Sequence, residues 1–209
     1  MVIIKYAFMR LNIKFILTKV FSWVKANPLL VLFFLIFGFL RLYNLAGHAT
    51  FLGDQGRDAI IMKRILYLEH LPAIGAPTSI GMVYLGPFYY YFMAPWLALF
   101  QFNPVGLAYG VAFLSIFFGI AAFFIIRKHF NNLTAFLFLF LLTFSATNIL
   151  LSRFSWNPNL LPIFTFFTLY FFYLTLQNKG LLYPLIFGIC HSRFLSDVPV
   201  YRLGILKER

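Results

Sequence analysis

Between Val105 and Ile126 the chain runs 22 residues without a charged side chain, the length an α-helix needs to cross bilayer hydrocarbon, about 20 residues. Comparable apolar stretches occupy 28–46, 133–151 and 159–176, and a further one starts at Leu181 but stops after ten residues at Cys190. With 62% hydrophobic residues and 22% aromatics, too little polar surface remains to cover a soluble globule. The predicted fold class is therefore all-α, a polytopic transmembrane helical bundle. The net charge of +12 is dispersed among apolar runs, which points to membrane lipids rather than nucleic acid as the basic residues' partner. A single cysteine, Cys190, excludes disulfides within the chain and argues against a cysteine metal site. His48, His70 and His129 lack metal-site spacing, so no metal and no cofactor are expected.

Residues 1–27 carry Lys5, Arg10, Lys14, Lys19 and Lys25 between short apolar groups and have no small-residue cleavage site. They read as a basic interfacial segment on the cytoplasmic side, leading into an uncleaved first span. Residues 83–101 are long enough to cross, yet contain two prolines and five Tyr or Trp side chains, which favour the headgroup level. If this stretch lies along the outer surface, Arg127, Lys128 and Lys179 all fall inside with the basic N-terminus. The predicted topology therefore has one large external loop, 47–104, with the Ser152 to Asn159 connection on the same side of an inner membrane. The module spans 28–190. Residues 191–209 form a polar tail without pattern, expected as the product of a truncation or frameshift; such a fragment would hold half a site and be inactive alone.

Only three acidic residues precede position 190, and two of them stand in Gly53-Asp54-Gln55-Gly56-Arg57-Asp58. Carboxylates are costly near lipid, so this pairing is by default a functional hypothesis. Asp54 can act as a base on an attacking hydroxyl, with Arg57 nearby favouring the charged form. It can equally cap a helix starting around Arg57 or Asp58, and the pattern does not choose between them. Asp58 reads as a first-turn acid aligned with the helix dipole, and only secondarily as a second catalytic acid. Arg41, Arg57, Lys63 and Arg64 form a loose basic group able to hold a phosphate at headgroup depth, or simply to snorkel. From 59 to 68, apolar Ile61, Met62, Ile65, Leu66 and Leu68 oppose Lys63, Arg64 and Tyr67 as in an amphipathic surface helix, with Ile60 breaking the pattern. In Ser152-Arg153-Phe154-Ser155-Trp156-Asn157-Pro158, Arg153 and Asn157 can hydrogen-bond a sugar or phosphate, or the segment can be a plain turn with an interfacial Trp.

Taken in order, Gly53 to Asp58, Gly86-Pro87-Phe88-Tyr89-Tyr90-Tyr91 and Ser152 to Pro158 resemble the GT-C superfamily of integral-membrane glycosyltransferases. The branch is the PMT-like one, that of protein O-mannosyltransferases and lipid A aminoarabinose transferases, families 39 and 83, and the likeness covers roughly 28–176. It implies inverting transfer of a sugar from a polyprenyl-phosphate donor to a protein, lipid or glycan acceptor at the external face. It also implies Asp54 as base, basic neighbours on the leaving phosphate, and no catalytic metal. Two departures stand out: no carboxylate accompanies Trp156-Asn157, and Leu85 rather than Lys precedes Gly86-Pro87. Two other readings use the same residues differently: a transporter or flippase fragment for lipid-linked sugars, in which the loop only gates, and a non-enzymatic membrane subunit.

Overall fold

A computed structural model of the protein describes residues 15, 17–78, 83–177, 180–196 and 200–201. Lys5, Arg10, Lys14, Lys179 and most of the tail lie outside the described residues. The chain forms two compact units, Met1–Leu40 and Arg41–Arg209. Among the described residues the regular elements are helices apart from one two-stranded ribbon.

In the first unit, α1 (Leu17–Ala26) meets α2 (Pro28–Leu42) at a bend of 99°. Pro28 is the cause, since it offers no N–H and pushes the preceding residue out of helical geometry. Asn27 occupies the break and its Nδ2 donates to the Trp23 carbonyl at 2.8 Å. The 15 residues of α2 rise only about 22 Å, less than the roughly 30 Å of bilayer hydrocarbon. The expected 28–46 span thus ends early at Leu42. Asn44 then takes a left-handed conformation, φ 45°, and a single turn, α3 (Leu45–His48), follows.

Two described helices are long and apolar enough to cross a membrane: α6 (Val105–His129, 25 residues) and the continuous segment Asn157–Leu176 (20 residues), a 3-10 turn running into α9 (Leu161–Leu176). The bent α1–α2 pair makes a third if it counts as one span. The expected 133–151 span is divided into α7 (Asn132–Phe144) and α8 (Ala146–Leu151). Ser145 causes the division by taking extended backbone and capping α8 through its Oγ, which accepts from Asn148 N. Hydropathy does not register such a break, because both halves remain apolar.

The core of the second unit is built around α5 (Phe88–Leu99), whose Tyr89, Tyr90, Met93, Ala94 and Leu97 are all buried. Against it pack α4 (Gly53–Leu66) on one side and α6 on the other, with Leu160 and Ile163 completing the cluster. Twelve residues of helix rise about 18 Å, so α5 by itself does not reach across a bilayer. Gly106 and Gly110, one turn apart on α6, admit it closely: a Cβ on Gly106 would stand 2.6 Å from Phe100 Cβ, and one on Gly110 2.7 Å from Trp96. This small-xxx-small seam is legible in the sequence only as a spacing, and composition hides it. Gly106→Val is expected to destabilise the protein by about 1–3 kcal/mol through overpacking, read as a lowered melting temperature in detergent.

At the C-terminal end, α10 (Leu182–Ser196) packs along α9 and continues six residues beyond Cys190, where the sequence pattern fails. Beyond it, β2 (Val200–Tyr201) pairs antiparallel with β1 (Val83–Tyr84), Val83 opposite Tyr201 and Tyr84 opposite Val200. Part of the expected patternless tail is therefore ordered by backbone pairing.

Candidate functional site

The acidic motif is not a loop. Helix α4 starts at Gly53, with Leu52 extended before it, so Gly53 to Asp58 form its first turn and a half. Gln55 secures that start, its Oε1 accepting from Leu52 N at 2.8 Å. Leu52 has no side-chain acceptor to return the bond, so this is half of a capping box. Asp54 accordingly does not cap a helix at Arg57 or Asp58; it lies inside the first turn, where a carboxylate is favoured by the dipole. Gly53 has open space around its Cβ position and Gly56 only an ordinary contact with Phe51. Neither glycine is required by the backbone, which leaves the approach to this turn unobstructed.

Arg57 joins both carboxylates. Its Nη1 donates to Asp54 Oδ1 at 2.9 Å, while Nε and Nη2 donate to Asp58 Oδ1 at 3.0 and 2.9 Å. The two acids differ in surroundings: Asp54 is 56% exposed and Asp58 only 4%. Asp58 lies in the second turn and on the buried stripe Gln55, Asp58, Ala59, Met62, Ile65, not in the first turn expected from the sequence. Its burial pushes its carboxyl above the ordinary aspartate range, and the Arg57 ion pair offsets this only in part. Burial also pushes the Tyr90 phenol up, to about 12, with the Asp58 charge adding to it. The Tyr90 hydroxyl is buried and no hydrogen bond reaches it in good geometry, although it lies close enough to Asp58 and Arg57 to feel both charges. Burial works to lower the Arg57 guanidinium, and the charge and hydrogen bonds of Asp58 more than offset it, leaving it raised.

The sign of the Asp58 effect on stability follows. A carboxyl raised on folding binds its proton more tightly in the native state. Its contribution is full below the ordinary aspartate value, about 3.9, and is lost as pH rises through the raised native value. Acidification from pH 7 through the raised native value toward the ordinary one is expected to raise the melting temperature of the protein relative to Asp58→Asn, which lacks this component. Parallel melting curves for the two across that range check it.

The second motif folds against the first. Gln55 Nε2 donates to the Ser155 carbonyl at 3.0 Å, a buried bond across 100 residues, and Ser155 Oγ is 2.6 Å from Tyr89 Oη. Residues 53–58, 86–91 and 152–158 are thereby joined, the first two through the opening turns of α4 and α5. Beside Ser155 and Gln55 lies a cleft of about 250 Å³, walled by Thr50, Phe51, Asn103 and Val105. Across Thr50 is a second, about 480 Å³, mostly apolar, with Arg153, His48 and Tyr43 at its polar side. Arg153 Nη2 donates to the Tyr43 carbonyl at 2.8 Å.

The basic group expected from the sequence is not one group. Arg41 is buried, with Nε donating to Ser115 Oγ and Nη2 to the Leu142 carbonyl, both at 3.0 Å. It ties α6 to α7 and does not snorkel. Lys63 lies over the Tyr67 and Phe102 rings at 5.9 Å from each, and Arg64 is 3.8 Å from Glu69; both are exposed. Asn157 is buried in the 3-10 turn. Asp54 and Arg57 line neither cleft. Of the surface-helix pattern, Met62 and Ile65 are buried in the protein's own core instead of turned to a membrane, Leu68 is exposed and Ile60 faces outward. Sequence reasoning gave Gln55, Tyr89 and Ser155 no individual role. The signal for Gln55 was its place three residues after Leu52, the position from which a side chain reaches back to the helix start. Among the described residues no three His, Cys, Asp or Glu side chains gather to hold a metal ion.

No family model matches the chain, and neither a curated protein nor a solved structure matches it.

Proposed function

We propose that the chain is a polytopic membrane protein with its N-terminus cytoplasmic and residues 47–104 external. In this reading it transfers a sugar from a polyprenyl-phosphate donor to an acceptor hydroxyl. One observation carries it: the three motifs on which the GT-C resemblance rests, far apart in sequence, are bonded together through Gln55, Tyr89 and Ser155. Two or three helices of crossing length are compatible with the membrane setting.

The exposed carboxylate of Asp54 takes the proton of the acceptor hydroxyl, whose oxygen attacks the anomeric carbon as the bond to the lipid phosphate breaks. Attack opposite the leaving group inverts the carbon. Arg57 holds Asp54 in place through Nη1 and is held in turn by buried Asp58. The apolar cleft with Arg153 at its polar side suits an isoprenoid chain ending in a phosphate. A transfer assay tests the reading: vesicles containing the protein receive a radiolabelled polyprenyl-phosphate sugar and an acceptor extract. Labelled product together with free lipid phosphate is expected. Translocation of label without acceptor, and without release of lipid phosphate, would instead establish a flippase. Stable copurification of a partner with neither activity would establish a subunit.

A further inference from the structure

At the opposite end of α6 and α9 from the converging motifs lies a groove of about 470 Å³. Along α6, Ile125 of this groove stands about 30 Å from Val105 at the first cleft, close to the thickness of bilayer hydrocarbon. The volume falls within the roughly 300–1,000 Å³ typical of small-molecule sites. Ile125 and Ile126 of α6 face Phe166 and Leu169 of α9 across it, which makes its walls hydrocarbon.

Its polar features gather at one end. His129 lines it there, and Arg127 and Lys128 stand in the same last turn of α6, exposed, outside the groove's lining and with no ion pair to an acid among the described residues. The His129 ring meets Tyr170 and Tyr173 edge-on, at 5.7 and 5.4 Å, and those rings line the groove. Its Nε2 is buried and has no hydrogen-bond partner among the described residues, an uncommon condition for a polar atom out of water. An acyl chain with an anionic head matches both features: the tail takes the hydrocarbon walls, while a phosphate oxygen meets Nε2, with the two exposed cations in the same helical turn. Basic residues at a membrane boundary attract anionic lipid in just this way.

We infer that this groove binds one anionic phospholipid, in the leaflet opposite the candidate catalytic face. The site rests on the membrane part of the proposed function and not on sugar transfer. Its test therefore begins with carbonate extraction of membranes, which establishes insertion independently. Full-length protein in mild detergent is then titrated with dioleoyl phosphatidylglycerol, with dioleoyl phosphatidylcholine, and with glycerol 3-phosphate. Retention is read by native mass spectrometry and the melting temperature by a thermal scan.

Phosphatidylglycerol is expected to be retained as a one-to-one adduct and to raise the melting temperature by several degrees. Phosphatidylcholine should bind about tenfold more weakly, and glycerol 3-phosphate should have no effect. Arg127→Gln with Lys128→Gln leaves the packed surfaces untouched and should weaken phosphatidylglycerol about tenfold or more. Leu169→Trp, which fills the groove, should weaken both lipids alike. Should that variant fail to fold, His129→Gln, at the headgroup end, replaces it and should weaken phosphatidylglycerol selectively. Equal retention of the two lipids, wild-type affinity in the double charge variant, or binding of glycerol 3-phosphate alone would each overturn the site.

Discussion

Asp54→Asn is expected to lower sugar transfer by about 10²–10⁴-fold, the usual contribution of a positioned general base. Membrane insertion and melting should stay within about 0.5 kcal/mol of wild type, as for most surface substitutions, because the Asp54 side chain is 56% exposed. The isosteric amide keeps an oxygen for Arg57 Nη1 and loses only the ability to accept the proton, so the change separates chemistry from folding. The check is single-turnover transfer from a labelled donor, with the melting temperature measured alongside. Retained transfer would remove Asp54 from the reaction and leave Asp58, the other carboxylate on Arg57, as the acid to examine.

Arg41→Ala is expected to be the most destabilising single substitution, by about 3–5 kcal/mol. Hydrogen bonds from a charged donor are each worth about 1.5–3 kcal/mol, and Arg41 makes them to Ser115 Oγ and the Leu142 carbonyl from a fully buried position. Truncation adds a cavity where a long side chain stood. Arg41→Met separates these terms by preserving much of the volume. Ser115 can then turn its hydroxyl to its own helix, so the cost should fall to roughly half that of alanine, chiefly the unsatisfied Leu142 carbonyl. Thermal scans of the three proteins in one detergent check the order. Equal melting of wild type and Arg41→Ala would mean that the buried cation brings no net stability.

The parts of the fold that the sequence made legible are those governed by apolar length. The expected spans 105–126 and 159–176 follow from it, and both lie within continuous helical segments, Val105–His129 and Asn157–Leu176. What escaped depends on side chains reaching backbone or on contacts across distance. Ser145 divides an apolar stretch by a cap of its own, Asn44 interrupts another by turning left-handed, and Gly106 with Gly110 opens a seam that hydropathy scores as ordinary. In the candidate site, the motifs were recognisable as residues, but their meeting was not. Gln55 reads as one polar residue among several in the string, and only its two bonds, to Leu52 N and to the Ser155 carbonyl, reveal it as the connection. The burial that distinguishes Asp58 from Asp54 is likewise a property of the helix face. It becomes predictable once α4 is known to start at Gly53, because Gln55, Asp58, Ala59 and Met62 then share one stripe.

The brevity of α5 has a consequence for the surface of α6. Its ring and glycine contacts with α6 fall at Gly106, Tyr109, Gly110 and Phe113. Farther along, α6 leaves Phe117 and Phe124 exposed, apolar surface that the proposed membrane setting would cover with lipid rather than with protein.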